Sequence, residues 1–276
     1  MSTIAFVGAG VMGETLIAGL LAEGTEPKSL RASCRRPDRA KELADRHGVA
    51  VGTDNAEMAD ADVVVLCVKP QTLAPVLAEL RGRLRPQSLV LSIVAGARSG
   101  WIADRLDHAR VVRAMPNLPC RIREGMTVWF APPAVGPEDR DRVRALLRVM
   151  GAEVEVDDEG HVDRATAVSG TGPAIVAHFV KGLIEAAGYI GEPRGVARET
   201  VLQTVLGTCE MIRRSDTHVA ALIDEVTSPG GTTTRALQVL KDGRFSAVLT
   251  EAVDAAYTRS VELGAKLEAV GPPARG

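Results

Sequence analysis

Two glycine-rich segments of the chain have the residue types and spacing that bind anionic ligands. The first has the pattern G-x-G-x-x-G, formed by Gly8, Ala9, Gly10, Val11, Met12 and Gly13. It lies directly between an apolar strand pattern and an apolar helical pattern, which is where a dinucleotide-binding turn belongs. In such a turn Gly8 permits the bend, Gly10 lets the backbone approach a pyrophosphate, and Gly13 lets the helix pack on the strand. The segment therefore predicts a phosphate-binding turn at a helix N-terminus; a turn that binds nothing is the alternative.

The end of the next strand favours NADP over NAD. NAD-binding proteins usually have an acidic residue there, about twenty positions after the last glycine, which binds the ribose hydroxyls. Here the strand ends in Ser33, and Arg35 and Arg36 follow without an Asp or Glu. A hydroxyl followed by guanidinium groups suits a 2′-phosphate, which arginine binds with two parallel hydrogen bonds. The alternative is that both arginines lie on a solvated helix start.

The second glycine-rich segment, residues 227–234 (Thr-Ser-Pro-Gly-Gly-Thr-Thr-Thr), leads into a helical pattern. Two glycines and several hydroxyl side chains at a helix N-terminus form a nest of backbone donors together with a cap. Such a nest binds a small carboxylate without an arginine, although an elaborately capped helix would have the same residues. Residues 169–173 (Ser-Gly-Thr-Gly-Pro) repeat this chemistry, so we expect both loops to face one ligand.

The remaining polar residues indicate neither a metal site nor a catalytic triad. The five histidines are dispersed without the spacing of metal ligands, and we expect no bound metal. Lys181 and Glu185 are spaced to form an ordinary helix ion pair. Glu159 and Asp163 precede the loop at 169–173 and are weaker candidates for the ligand site.

Composition and charge exclude several classes of protein. The 276 residues include 33 Lys and Arg against 35 Asp and Glu, and aromatic residues make up 3%. Near-neutral charge and few aromatic side chains argue against a nucleic-acid partner. The four cysteines include no C-x-x-C pair, which fits reduced thiols in the cytoplasm. We find no signal-peptide pattern and no run of eighteen apolar residues, so we expect a cytoplasmic protein without a membrane span.

The first half of the chain alternates short β-branched runs with helical patterns, which is typical of parallel β-α-β units. We therefore predict an α/β fold in which residues 1–157 form an NADP-binding, Rossmann-like, doubly wound parallel sheet. Strands are expected at residues 3–7, 30–33, 63–68, 89–94, 110–114 and 153–156, and helices at 11–23, 38–47 and 138–150.

The second half of the chain predicts helices alone, starting near Thr171, Pro193, Thr232 and Phe245. The first of these is apolar over most of its circumference, and a helix of that kind must be buried. A domain of about a hundred residues has little room to bury one. We therefore expect a second subunit to cover it, so that residues 158–270 form an all-α dimerisation and substrate domain. Residues 271–276 are expected to be disordered.

Together these segments resemble the Δ1-pyrroline-5-carboxylate reductase family, the last enzymes of proline synthesis, over nearly the whole chain. The matching stretches are residues 6–13 (Phe-Val-Gly-Ala-Gly-Val-Met-Gly), 68–70 (Val-Lys-Pro), 114–117 (Ala-Met-Pro-Asn), 124–127 (Glu-Gly-Met-Thr), 169–174 (Ser-Gly-Thr-Gly-Pro-Ala) and 226–233 (Val-Thr-Ser-Pro-Gly-Gly-Thr-Thr). The last stretch is the most specific, whereas many dehydrogenases share the glycine turn. The resemblance implies a Rossmann domain and a helical domain that interlocks with a partner as a homodimer, often assembled further.

The resemblance also implies which residues bind the ligands. The implied contacts to NADPH, with NADH as a weaker substitute, are Gly8, Ala9, Gly10, Val11, Met12, Gly13, Ser33, Arg35, Asn55, Val68, Lys69, Pro70 and Ala95. The implied contacts to the substrate are Glu159, Thr171, Asp216, Ser228, Gly230, Gly231, Thr232 and Thr233. Thr233 matches the hydroxyl that bonds the substrate's ring nitrogen and is the implied catalytic residue.

The implied reaction transfers a hydride from NADPH to the imine carbon of 1-pyrroline-5-carboxylate and gives L-proline. Two residues depart from the family pattern: Leu118 replaces a usual Thr and Ile175 a frequent Tyr. They leave open the reduction of another cyclic imino acid in a specialised pathway. A β-hydroxyacid dehydrogenase shares the two-domain plan, but the Lys expected shortly after Gly172 is absent. A regulatory protein that binds NADP without turnover is disfavoured by the intact stretch 226–233.

Overall fold

The computed structural model describes residues 2–269, so the tail at 271–276 lies outside the described residues. The strands are β1 Ile4–Val7, β2 Leu30–Ser33, β3 Ala50–Gly52, β4 Val63–Leu66, β5 Leu89–Ser92, β6 Val111–Met115, β7 Gly125–Phe130 and β8 Gly151–Val156. The helices are α1 Val11–Ala22, α2 Pro37–His47, α3 Pro70–Leu80, α4 Ser99–Leu106, α5 Pro137–Arg148, α6 Gly160–Ala165, α7 Gly172–Tyr189, α8 Arg194–Arg214, α9 Val219–Glu225, α10 Thr232–Asp242 and α11 Phe245–Glu268. A π-helical turn, Thr166–Gly170, joins α6 to α7, and a 3-10 segment, Leu118–Ile122, precedes β7.

The strands of the described residues form one sheet in the order β3-β2-β1-β4-β5-β6-β7-β8. The predicted parallel pairing is confirmed from β3 across to β6. Strand β7, which the sequence does not predict, differs: it pairs antiparallel with β6 and parallel with β8. The link between β6 and β7, residues 116–124, is shorter than the dozen or so residues that a parallel crossover needs.

The six predicted strands are confirmed, while β3 and β7 are additions that the sequence patterns do not reveal. β3 has three residues, too few for a recognisable alternation. β7 begins at Gly125, and glycine is uncommon in strands. The Gly125 position is crowded, because a Cβ there would lie 2.1 Å from the sulfur of Cys120. A close approach of two segments therefore explains the glycine.

Alternate residues of each central strand pack on opposite faces of the sheet, as the pleat requires. One face carries Phe6, Val65 and Leu91 against α1, α2 and α5. The other face carries Val7, Val64 and Val90 against α3 and α4. These residues are almost completely buried, so the prediction of strands covered on both faces is confirmed.

The chain divides into two compact units. The first comprises the residues up to Thr171 together with those from Ala256 onward, and the second comprises Gly172–Ala255. The sequence predicts the change from strands to helices after residue 157, earlier than this division at Thr171. The last strand does end at Val156. Helix α6 belongs to the first unit because it packs against β6 and β7. The π turn belongs there too, since Gly170 lies against Met115 of β6. The residues of α11 after Ala255 join it as well, and Leu267 packs on its core.

The second unit contains little core of its own. Among its described residues, the buried apolar ones are Ala197 and Leu222. Helix α7 buries no residue, although Val176, Phe179 and Leu183 form an apolar stripe along it. This is the helix that the sequence predicts to be covered by a second subunit.

By length and composition, one helical stretch of the described chain, Gly160–Tyr189, is long and apolar enough to cross a membrane. This differs from the expectation of no membrane span, which counted consecutive apolar residues only. The stretch includes charged side chains such as Lys181 and Glu185, paired at 3.4 Å as predicted. A single helix of this kind is weak support for a membrane location, because a helix whose apolar surface binds another protein has the same composition.

Candidate functional site

The glycine turn lies where the strand order of the sheet reverses, between β1 and β4. Gly8 has φ of 78°, in the left-handed region that favours glycine. A Cβ at Gly8 would lie 2.3 Å from Cγ1 of Val68, at the end of β4. The two loops therefore touch at the carboxyl edge of the sheet, where open α/β sheets bind their ligands. Residues 8 and 68 are brought together as the resemblance implies.

The other two glycines of the turn fit a dinucleotide. A Cβ at Gly10 would have only one neighbour within 4 Å, the Gly8 carbonyl oxygen at 3.9 Å, so the space above the backbone is open. Helix α1 begins at Val11 without a side-chain cap, and its first N–H groups are available to phosphate oxygens. A Cβ at Gly13 would lie 3.3 Å from the sulfur of Cys67, so the helix packs closely on β4.

Ser33 supports the turn from inside the sheet. Its side chain is fully buried, and its hydroxyl accepts a bond from the Gly8 N–H at 3.2 Å. The same hydroxyl donates to Asn55 Oδ1 at 2.7 Å, and Asn55 donates to Glu79 at 2.7 Å. Ser33 and Asn55 therefore hold the turn in place, and their direct contact with a cofactor stays a prediction.

Arg35 and Arg36 are exposed where β2 leads into α2. Arg36 is 3.8 Å from Asp38, whereas Arg35 has no ion-pair partner within residues 2–269. Arg39, one turn further on, forms an ion pair with Glu14. Arg35 is thus the cation of this loop that remains available to a phosphate group.

Glu14, which follows the turn, accepts hydrogen bonds from three side chains of α2. They are Arg39, Arg46 at 2.6 Å and His47 at 3.0 Å. Burial alone would raise the pKa of Glu14, but the bonds from His47, Arg39 and Arg46 hold it below the ordinary value. The carboxylate ties α1 to α2 and so fixes the N-terminus of α1 next to the loop of Arg35 and Arg36.

Two further predicted cofactor segments lie on the same edge of the sheet. Lys69 is exposed and directly precedes Pro70, the first residue of α3. Ala95 lies in the loop after β5, next to Gly96, which has φ of 77°. Because β1, β4 and β5 are parallel, the loops that follow them all emerge at one edge. The first unit therefore brings together the loops that carry Gly8–Gly13, Val68–Pro70 and Ala95.

The π turn packs over the end of β6. A Cβ at Gly170 would lie 3.0 Å from the terminal carbon of Met115. The amide of Asn117 donates to the Ser169 carbonyl at 3.2 Å, and its oxygen accepts the Met126 N–H at 3.0 Å. Thr171 donates through both its N–H and its hydroxyl to the Thr166 carbonyl, at 3.0 and 3.2 Å. Asn117 therefore links the 3-10 segment to the turn that carries Thr171.

A buried charge cluster supports the same turn from below. Arg113 of β6 is 1% exposed, and it donates to Asp163 of α6 at 2.6 Å. Its guanidinium is also 3.5 Å from Glu159, which accepts bonds from the N–H and hydroxyl of Ser99 at 2.7 and 2.9 Å. Arg113 is not among the site residues predicted from the sequence. The available signal was an arginine inside an apolar strand, because a buried charge must be paired.

The loop before α10 has the backbone geometry of an anion site. Gly230 has φ of 72°, and α10 begins at Thr232 without a side-chain cap. The Thr234 hydroxyl donates to the Ser228 carbonyl at 2.6 Å and closes the loop. The Thr233 hydroxyl has no hydrogen-bond partner in the described residues. The first-turn N–H groups of α10 are therefore open to a carboxylate, and the capped-helix alternative loses its support.

The predicted substrate residues fall in different units. Ser228–Thr233 and Asp216 belong to the second unit, Asp216 being an exposed residue between α8 and α9. Glu159 and Thr171 belong to the first unit. The structure thus assembles the loop Ser228–Thr233 itself, and the roles of Asp216, Glu159 and Thr171 toward a substrate stay predictions.

Family models match both parts of the chain. A model described as pyrroline-5-carboxylate reductase dimerisation matches residues 159–263. A model described as NADP oxidoreductase, coenzyme F420-dependent, matches residues 3–96. The first match confirms, at the level of a homodimer or larger homo-oligomer, that the helical half contacts another subunit. The second confirms NADP as the cofactor of the sheet domain.

Curated relatives match along almost the full chain. A pyrroline-5-carboxylate reductase of Synechocystis sp. is 40% identical, with 95% of this chain and 98% of the relative covered. The enzyme of the same name from Pseudomonas aeruginosa is 38% identical, covering 97% and 99%.

Solved structures agree with these relatives. A pyrroline-5-carboxylate reductase from Coxiella burnetii superposes with a TM-score of 0.88 and 35% identity, over 95% of this chain and 98% of that one. The pyrroline carboxylate reductase of Plasmodium falciparum, solved with NADP bound, has a TM-score of 0.85 and 30% identity over the same shares.

Proposed function

The chain belongs to the pyrroline-5-carboxylate reductase family, and we propose that it reduces 1-pyrroline-5-carboxylate to L-proline with NADPH. The observation that carries the proposal is the uncapped start of α10, where open N–H groups and the free Thr233 hydroxyl lie together. An anionic substrate with a ring nitrogen needs both kinds of group.

The first unit has the features that hold the cofactor. NADPH, when bound, supplies the hydride. The open backbone above Gly10 and the N-terminus of α1 would bind its pyrophosphate. Arg35 would bind the 2′-phosphate, because its guanidinium is exposed and has no acidic partner in the described residues. Val68, Lys69, Pro70 and Ala95 line the same edge, and Ser33 and Asn55 fix the turn.

The second unit has the features that hold the substrate. The N–H groups of Thr232 and Thr233 would bind the carboxylate, and Ser228 would add its hydroxyl. The Gly231 N–H donates to the Ser228 carbonyl at 3.0 Å and so shapes the loop. This needs no arginine, since the helix dipole and the N–H groups together supply the positive potential. Asp216, Glu159 and Thr171 are proposed as further substrate contacts on the strength of the family resemblance.

The chemistry requires positioning more than a strong acid. A protonated imine nitrogen makes the adjacent carbon electrophilic, so that the hydride adds to carbon while nitrogen keeps the proton. Thr233 would orient the nitrogen and pass it a proton from water, because a threonine hydroxyl is too weakly acidic to be the proton source itself. Correct placement of the two reacting atoms then supplies most of the rate enhancement.

We also propose a homodimer formed through the C-terminal helices and a location in the cytoplasm. The exposed apolar stripe of α7 supports the dimer. The four cysteines, all of which are unpaired in the described chain, are compatible with a reducing compartment.

The test is the oxidation of NADPH by the purified protein with 1-pyrroline-5-carboxylate, beside the six-membered homologue and with NADH as the control. We expect rapid turnover of the five-membered imine, preferentially with NADPH. Turnover of the homologue alone would keep the reaction type and overturn the substrate. Leu118 makes this comparison worthwhile, because it is exposed directly after Asn117, where the family usually has Thr.

A further inference from the structure

The C-terminal part of α11 packs on the first unit through one face. Ser260, Gly264 and Leu267 recur at helical spacing, so they lie on the same side of the helix. Ser260 is buried, and Leu267 packs against the hydrophobic core between the sheet and helices α3 and α4. Glycine is disfavoured inside helices, so Gly264 needs a packing reason.

That reason is a backbone contact with the loop after β5. A Cβ at Gly264 would lie 3.0 Å from the carbonyl oxygen of Gly96. Conversely, a Cβ at Gly96 would lie 3.2 Å from the Gly264 N atom. Each glycine therefore admits the other backbone, and both neighbouring atoms are backbone atoms that no side-chain rotation can move away.

The loop is fixed at its two ends by other groups. At its start the Ile93 N–H donates to the Leu66 carbonyl at 3.1 Å, which continues the pairing of β5 with β4. At its end Ser99 is held by Glu159. Ala95 and Gly96 lie between these anchors, at the carboxyl edge of the sheet.

We propose that Gly264 is a positioning residue for the cofactor: it lets α11 seat the loop Val94–Ala97 so that Ala95 meets bound NADPH. The inference rests on the proposed function only in taking Ala95 as a cofactor contact. Gly264 acts through Gly96 and touches no ligand itself.

A side chain at position 264 would displace the loop instead of compressing it. A cavity of about 80 Å³ lies beside the contact, lined by Arg98, Asp163, Ser260 and Glu268. Because α11 and the loop both line this cavity, it lies between them; a Cβ at position 264 would push the Gly96 backbone away from α11, and this movement would shift Ala95.

The experiment compares Gly264→Ala and Gly264→Val with the control Gly100→Ala, using the full-length protein. Gly100 lies in α4 of the same unit, and nothing lies within 4 Å of a Cβ built there. The affinity for NADPH is measured by fluorescence titration without imino acid, followed by KM and kcat and a thermal melt of each variant.

We expect Gly264→Val to raise the NADPH dissociation constant by about tenfold and Gly264→Ala by about threefold, because small misplacements in a binding site are costly. Gly264→Ala should raise KM for NADPH while kcat and the melting temperature change little. The control should match the wild type.

A Gly264→Val protein that is folded and binds NADPH like the wild type would overturn the inference. If that variant does not fold, the alanine variant decides by the same titration. Since the titration needs no imino acid, an absence of reductase activity in the wild type would overturn the proposed function and leave this test intact.

Discussion

The two units of this chain differ in how much of their apolar surface they bury themselves. The first unit encloses two cores, one on each face of the sheet, with Phe6 and Trp129 fully buried. The second unit, over residues 172–255, buries only Ala197 and Leu222 among its apolar residues. The first unit therefore has hydrophobic cores of its own, whereas the second needs another surface to gain the burial that stabilises a domain.

This difference explains where the sequence is easiest to interpret. Where a strand is covered by other parts of the same chain, its apolar sequence predicts that it lies in the centre of the sheet, as at β4 and β5. Where a helix is covered by another chain, its apolar sequence predicts burial but does not identify the residues that bury it, as at α7. Four substitutions probe this difference between the units, and they are taken in decreasing order of expected effect.

The largest effect is expected from a charge on the α7 stripe. Leu183→Glu should abolish the homo-oligomer, because a carboxylate would be buried without a partner at the subunit contact. Light scattering on a sizing column measures the change in mass. Val154→Glu is the control, since Val154 is also exposed but lies on the edge strand of the first unit. An oligomer that survives Leu183→Glu would contradict the comparison.

In the first unit, removal of the buried cation should cost the most stability. Arg113→Ala leaves Asp163 and Glu159 without their buried partner, and we expect a loss of about 3–5 kcal/mol in the free energy of unfolding. Urea denaturation measures it. Arg98→Ala is the control, because Arg98 is largely exposed and 3.9 Å from Asp163, and a loss of at most about 1 kcal/mol is expected. If both variants lost the same free energy of unfolding, the buried cluster of Arg113, Asp163 and Glu159 would not be a stabilising support for the π turn.

In the second unit, a smaller change should act on catalysis alone. Thr233→Ala should lower kcat/KM by about 10- to 100-fold, or 1.4 to 2.7 kcal/mol, with the fold intact. Steady-state kinetics with 1-pyrroline-5-carboxylate measure the change. Thr208→Ala, on the exposed side of α8, is the matched control. Wild-type kinetics in the Thr233 variant would exclude this hydroxyl from the site.

The smallest effect is expected at the arginine loop. Arg35→Ala should raise KM for NADPH by about tenfold and leave KM for NADH unchanged, because one charge-assisted contact to the 2′-phosphate is lost. Arg36→Ala, which removes the neighbour already close to Asp38, should have less effect. An equal rise in KM for NADPH and NADH would show that Arg35 contacts a part of the dinucleotide other than the 2′-phosphate.

Local patterns reveal most of the fold and the two loops, and long-range contacts explain what they miss. The glycine spacing of residues 8–13 predicts its own geometry because a turn is a local structure. Arg113, Asp163 and Glu159 meet only once the sheet has formed, so nothing in their spacing brings them together. The contact of Gly264 with Gly96 is likewise visible only when α11 lies on the first unit. The antiparallel β7 depends on the length of one link.

The most direct test of the account measures NADPH binding and imine reduction by Leu183→Glu, with wild-type protein alongside. The predicted cofactor contacts all lie in the first unit, whereas the loop Ser228–Thr233 belongs to the second unit, which has little core. We predict that the variant is monomeric, binds NADPH with nearly wild-type affinity by fluorescence titration, and no longer reduces 1-pyrroline-5-carboxylate. A monomer that reduces the imine at the wild-type rate, or one that has lost NADPH binding while its sheet remains folded, would contradict the account.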